Sequence, residues 1–215
     1  IASQNSVIQL FTRATTISHI CCSNLYSKGT TDNKDVFATL KITDYSFIKF
    51  IFSTLVGNNE DVNSKSIFEI SGNCANRLQC LNVSNFKNNK HDGSIISSLS
   101  SSCMTMLMNT FSQLEAPNIF KINIYNVYSG EIQNYIGNSN FKDNTFGSNL
   151  FYFDMNSDSK LFIDNCIFAN KRSNIFFLNG GKEICVNNCM FDRSVSFPDR
   201  FSVKDINAID NPETH

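Results

Sequence analysis

Tryptophan is absent, and only 3 Pro and 9 Gly are spread over 215 residues. A collagen-like repeat and a Pro-rich linker are thereby excluded. Charge is scarce, with 17 % Asp, Glu, Lys and Arg and a net charge of −1. Such a chain lacks the basic patch that nucleic acid requires. No C-x-x-C pair occurs, and His19, His91 and His215 are scattered, so zinc-site spacing is missing. The longest apolar run, Phe47 to Val56, contains Lys49 and is too short to cross a bilayer. No secretory leader is visible, and residue 1 is Ile, which points to a processed chain or a piece of a longer one.

What is abundant is aromatic or polar without charge. Twenty Phe and 6 Tyr are too many to leave in water, so the chain is not disordered. Asn and Ser number 30 and 27, about a quarter of the sequence. Both compete for local backbone groups and are poor in helix interiors. Dense Phe and Ile favour strands. An AT-rich coding sequence inflates Asn, Lys, Ile and Phe in any fold, so the positions of these residues matter more than their number.

Internal repeats supply those positions. LFIDNCIF at 161–168 and ICVNNCMF at 184–191 match at an offset of 23. Asn165 then meets Asn188, Cys166 meets Cys189 and Phe168 meets Phe191. LNVSNFKNN at 81–89 and IGNSNFKDN at 136–144 share a second string, centred on Phe86 and Phe141. Looser copies place anchors at Leu25, Phe47 and Phe111. The gaps are 22, 39, 25, 30, 27 and 23, and SIFEISGNC at 66–74 suggests a further turn inside the longest. Ile122–Val127 also fits the pattern but lies too close to Phe141 for a separate full turn.

Within each unit, apolar residues alternate with period 2, then meet Asn, then an aromatic. Alternation reads as a strand with one buried face. Asn tolerates the left-handed backbone region of a turn. No long stretch has a helical period. A unit of short strands cannot bury its face alone and stacks on copies of itself. The expected fold is all-β, a right-handed parallel β-helix with roughly eight or nine rungs of about 20–27 residues. At the strand spacing the rod would be on the order of 40 Å long. A β-sandwich gives no reason for strings to recur with Asn, Cys and Phe in register. Residues 1–19 read as a cap or first rung, 20–194 as the solenoid, and 195–215 as a cap or linker, since the tail holds Pro198, Pro212 and several charges.

Stacking assigns roles. Asn165 over Asn188 would form an amide ladder. Phe168 over Phe191, with Phe86 and Phe141 in other rungs, would stack in the core. Cys166 and Cys189 would form an inward ladder of thiols. Cys74 and Cys80 are a candidate disulfide across a loop. Asn82-Val83-Ser84 is the single N-glycosylation sequon, with Asn82 facing outward if Leu81 and Val83 face inward.

The N-C-x-F units at Asn165–Phe168 and Asn188–Phe191, and the F-x-x-N units at Phe86–Asn89 and Phe141–Asn144, resemble a known family. They are similar to the passenger repeats of chlamydial polymorphic outer-membrane proteins. They resemble still more the Asn- and Cys-rich β-helix surface proteins of trichomonad protists. Departures exist. Asn170 follows Phe168 one position early, and Gly180-Gly181-Lys182-Glu183-Ile184 is one residue longer than the companion G-G-x-[ILV] motif. The resemblance covers roughly 20–194. It implies cell-surface display with adhesion or recognition and carries over no catalytic residues.

The chemistry-bearing clusters are thin. His19, Cys21 and Cys22 are the only His/Cys grouping, and an alternating strand puts Cys22 on the other face. Asp154-x-Asn156-x-Asp158 begins like a calcium loop, but Ser159 and Asn165 replace its Gly and Glu. Carbohydrate-active β-helices need clustered carboxylates or Ca²⁺ with a basic partner. Here no Asp-Asp pair, Gly-His-Gly or Arg-Ile-Lys string occurs, and neither a nucleophile elbow nor a phosphate loop is present. The expectation is a non-enzymatic surface or secreted protein without cofactor or metal. It would present a lateral face to a protein or glycan, without nucleic acid or membrane insertion. One alternative is a building block of a filament, coat or cytoskeletal assembly, packed end to end or laterally, with an intracellular assembly as the alternative location. A second is a carbohydrate-active enzyme. A glycan and oxidised cysteines would favour the first reading, and free thiols with an ordered polymer the second.

Overall fold

The computed structural model describes residues 8–12, 15–25, 38–42, 48–57, 61–62, 66–72, 76–100, 104–124, 133–156, 159–170, 172, 174–181, 183–197, 199 and 201–208. Among them every regular element is a strand, and every pairing is parallel. The chain is an all-β parallel solenoid. Its first sheet stacks Ile8–Thr12, Ala38–Ile42, Ser66–Gly72, Ser94–Ser100, Glu115–Ile124, Thr145–Met155 and Phe176–Gly180 in chain order. Its second sheet folds round a corner. Ile48–Gly57 and Asn76–Ser84 run through that corner, whereas later coils divide there into two short strands, such as Lys160–Asp164 and Ile167–Ala169.

The corner is made by backbone conformation. His19, Phe52, Cys80, Met108, Asn138, Asn165, Asn188 and Asp205 all have positive φ, between 49° and 56°. The pairing register places them in one column. The left-handed region suits Asn and Asp best, because their short side chains bond locally. The last four members of the column follow that preference. His, Phe, Cys and Met do not, and each carries a backbone cost of about 1–2 kcal/mol. A later turn uses Gly180 and Gly181, both at φ +79. A Cβ on Gly180 would lie 2.0 Å from Met155 O, so only glycine fits there.

The residue after each corner points inward and closes the backbone account. Ile20 N donates to Ser53 Oγ at 3.1 Å, Leu81 N to Asn109 Oδ1 at 3.0 Å, and Asn109 N to Ser139 Oγ at 3.1 Å. A buried N–H without a partner costs about 1–3 kcal/mol, which a short polar side chain from the next coil removes. Cys166 and Cys189 take the same place in their coils, and both are buried free thiols.

Two columns of rings fill the core. Phe111, Phe141, Phe168 and Phe191 lie in one register column of the second sheet. They stack at 5.6, 5.1 and 4.9 Å. Phe120, Phe151 and Phe176 form the facing column in the first sheet. Edge contacts knit the two together, from Phe111–Phe120 at 4.8 Å to Phe168–Phe176 at 5.5 Å. Each pair adds about 0.5–1.5 kcal/mol beyond its buried area.

The register revises two expectations. Phe111 pairs with Val83, not Phe86. Phe86 is buried elsewhere, edge-on to Phe68 at 5.2 Å. The shared S-N-F-K string therefore reflects residue type without common register. Ser66–Gly72 is not an extra turn but the first-sheet strand leading into Asn76–Ser84. Likewise, Ile122 to Ile124 lie in a first-sheet strand. Parallel pairing is present in the stretch read as a cap or first rung and in the stretch read as a cap or linker. Ile8–Thr12 pairs with Ala38–Ile42, Phe201–Lys204 pairs with Glu183–Asn187, and Asn207–Ala208 pairs with Met190–Phe191. Phe197 caps the ring column, 6.0 Å from Phe176.

Candidate functional site

Alternation that buries one side of a strand leaves the other side free to carry function. Along Glu115–Ile124 the inward residues include Phe120, Ile122 and Ile124, so Lys121 and Asn123 face outward. The register sets Lys121 beside Tyr152 and Tyr152 beside Phe177. Tyr152 and Phe177 stack at 4.9 Å with 18° between their planes. Lys121 Nζ stands 5.5 Å from the centre of the Tyr152 ring, within cation–π range. Phe177 is 43 % exposed although it is large and apolar.

Two residues along each strand runs a polar column of Asn123, Asp154 and Asn179. Asn179 Nδ2 donates to Asp154 Oδ1 at 3.1 Å. Asn123 Oδ1 is buried without a hydrogen-bond partner among the described residues. Two strand residues span about 6.6 Å. The face thus sets ring surfaces beside amide and carboxylate groups at fixed intervals. Such a strip can stack on apolar faces and exchange hydrogen bonds with hydroxyl or amide groups.

A cleft opens further back on the same strands. Ala116 pairs with Phe146 but Asn118 pairs with Asn149, so three steps on one strand oppose two on the other. This is a β-bulge, with Pro117, which has no N–H, opposite the extra residue. The hollow is about 250 Å³ and is lined by Asn88, Asn89, Glu115, Pro117, Phe146, Arg172 and their neighbours. Arg172 Nη1 donates to Gly147 O at 3.1 Å. Lys87 Nζ pairs with Glu115 Oε1 at 3.4 Å across adjacent coils.

The residues singled out from sequence fall at several places. Asn82 is exposed in Asn76–Ser84, between Thr54 and Thr110 of the neighbouring coils. Cys80 is a half-buried free thiol, and Cys74 lies outside the described residues. Asn165 and Asn188 occupy adjacent tiers of the exposed corner, but their amides do not bond each other. Asn165 Nδ2 donates to Asn138 Oδ1 at 2.5 Å, and Asn188 Nδ2 to the Asp164 carboxylate at 3.2 Å. Asn165 thus makes an amide-to-amide bond with the coil before it, while Asn188 takes the charged acceptor of Asp164.

The buried amides are others. Asn109 and Asn134 each join backbone groups of neighbouring coils, as in Met104 N to Asn134 Oδ1 at 2.8 Å and Asn134 Nδ2 to Lys160 O at 2.9 Å. Asn144 accepts from Leu114 N at 3.0 Å and donates to Asn170 Oδ1 at 2.9 Å. The F-x-x-N unit ending at Asn144 was the sequence signal for that staple.

Titration behaviour marks structure rather than chemistry. A hydrogen bond to Cys189, with burial, pushes the Cys166 thiol well up, so it stays protonated and unreactive. Burial and the nearby Glu183 carboxylate raise Cys185. Burial and Asp164 raise Tyr135, whose hydroxyl donates to Asp164 Oδ2 at 3.3 Å. Among the described residues no three His, Cys, Asp or Glu side chains converge. His19 stacks on Phe52 at 5.4 Å, Cys21 is exposed, and Asp158 of the calcium-like string lies outside the described residues.

Comparison of the chain with family models, curated proteins and solved structures finds no match.

Proposed function

We propose that this chain is a recognition segment of a cell-surface or secreted protein. It acts as a rigid, non-enzymatic rod whose outward face binds protein or glycan. The finer architecture under this reading is a right-handed coil of eight or nine rungs. The observation that carries it is the strip of Lys121, Tyr152 and Phe177, stacked outside the core beside Asn123, Asp154 and Asn179. Phe177 is 43 % exposed, so a large apolar surface of its ring faces solvent. Solenoids suit the role because stacking repeats a side chain at each tier and builds an extended surface. The likeness to trichomonad and chlamydial surface repeats supports the same location. Export would also make the exposed Asn82 available for a glycan.

The test is retention of labelled protein on intact cells, comparing wild type with a Tyr152→Ser, Phe177→Ser double variant. Retention that needs both rings supports the reading. Equal retention of the two proteins removes the strip from it. Failure of wild type to bind any cell surface, with an unmodified mass at Asn82, removes the reading as a whole.

A further inference from the structure

The hollow at the bulge has features that the lateral strip lacks. It is concave, at about 250 Å³, just below the roughly 300–1,000 Å³ of sites for drug-sized ligands. Its capacity therefore suits one ring with its substituents. Its charge is not balanced. The lining holds Arg172 and the Glu115 carboxylate, and Lys87, outside the lining, sits on that carboxylate at 3.4 Å, so the Lys87–Glu115 pair is neutral and the Arg172 charge remains at the hollow. One of the five N–H donors of Arg172 is used on Gly147 O, which pins the guanidinium at the rim. The rest of that planar fork matches a carboxylate. Pro117 and Phe146 give an apolar wall, while Asn89 and Thr145 add an amide and a hydroxyl.

We propose that this cleft binds a sugar ring bearing a carboxylate, a uronate-type unit, with Arg172 on the acid group and the Pro117–Phe146 wall against the ring. The proposal rests on the recognition reading and names a ligand class for it. Charge complementarity selects an acid over a neutral sugar. An acidic peptide fits less well. A peptide that docks by adding a strand needs a free sheet edge, and Glu115–Ile124 is already paired along both edges.

The position of Gly147 allows a clean test. A Cβ there would meet Pro117 Cα at 3.4 Å, an ordinary contact, so Gly147→Val has room for its first carbon and its two methyls narrow the hollow. Saturation-transfer NMR would compare glucuronate and glucose against wild type, Arg172→Ala and Gly147→Val, with circular dichroism to check the fold. The expected result is glucuronate binding that weakens roughly tenfold or more in both variants, and weaker glucose binding throughout. Equal binding of the two sugars, or unchanged glucuronate binding by folded Arg172→Ala, overturns the proposal. So does an acidic peptide that binds the cleft in place of glucuronate. If glucuronate does not bind but wild type is still held on cells through Tyr152 and Phe177, the cleft proposal falls and the recognition reading stands. If neither occurs, both fall.

Discussion

The Phe177 ring lies 4.9 Å from the Tyr152 ring, nearly parallel to it, on the outside of the solenoid. Inside, the same sheet stacks Phe151 on Phe176 at 6.0 Å. One pair of adjacent strands thus carries two aromatic ladders, back to back. The inner one excludes water from the core, whereas the outer one remains accessible. Parallel stacking makes both from the same rule, because a residue repeated at one register position lands above its copy.

Phe141 is the test of the inner ladder. It is fully buried and touches Phe111, Phe120, Phe151 and Phe168. Phe141→Ala should cost about 3–5 kcal/mol through lost transfer energy and the cavity left behind. Urea unfolding reads this as a lower midpoint. A cost under about 1 kcal/mol would mean that the two columns do not interlock as described.

Asn144 tests the amide staples. Its side chain serves Leu114 N, Phe111 O and Asn170 Oδ1 at once. Asn144→Ala leaves those buried groups without partners, at about 1–3 kcal/mol for each orphan. The same change at exposed Asn188 should cost clearly less. Paired urea curves for the two variants check the order.

The corner column gives a prediction of opposite sign. Met108 is 50 % exposed and sits at φ 53°, where Asn and Asp serve in later coils. Met108→Asn should raise stability by about 0.5–1 kcal/mol, since it relieves the left-handed backbone at small loss of burial. A fall in the urea midpoint would show that the exposed Met side chain makes contacts that outweigh the strain.

Alkaline pH should destabilise the protein. The Cys166 thiol is raised above its ordinary 9.0 by the bond to Cys189 and by burial. Its proton is held more tightly folded than unfolded. That stabilisation is complete below the unfolded value and is lost as pH rises towards the folded one. Cys189 is lowered by the same bond and opposes this, whereas Cys185 and Tyr135, also raised, add to it. Urea midpoints taken at about pH 7 and about pH 10 should fall for wild type. They should fall less for Cys166→Ser, and an equal fall in the two proteins would assign the loss to other groups.

The strand character, the parallel stacking and the Phe168–Phe191 neighbourhood are all legible in the sequence, because alternation and string repeats report local geometry directly. Register is less legible. Val83, rather than Phe86, stands below Phe111 because each lies three residues past its left-handed corner residue, Cys80 or Met108, whereas Phe86 lies six past, and a string match ignores that spacing. The bonding of Asn165 and Asn188 is legible only in part. Identity shows that two residues share a tier position, but the left-handed corner decides that both side chains face water, where Asp164 competes. The outward strip was the least legible. Lys121, Tyr152 and Phe177 differ in type, so no repeat search aligns them, and only the pairing register brings them together.

The most direct measurement takes the Tyr152→Ser, Phe177→Ser protein and reads its urea midpoint and its binding to cell-surface glycans and proteins in parallel with wild type. The account predicts a nearly unchanged midpoint, within about 1 kcal/mol, and binding reduced roughly tenfold or more. Unchanged binding with a large loss of stability would contradict it, and would make the outer rings part of the scaffold instead of its recognition face.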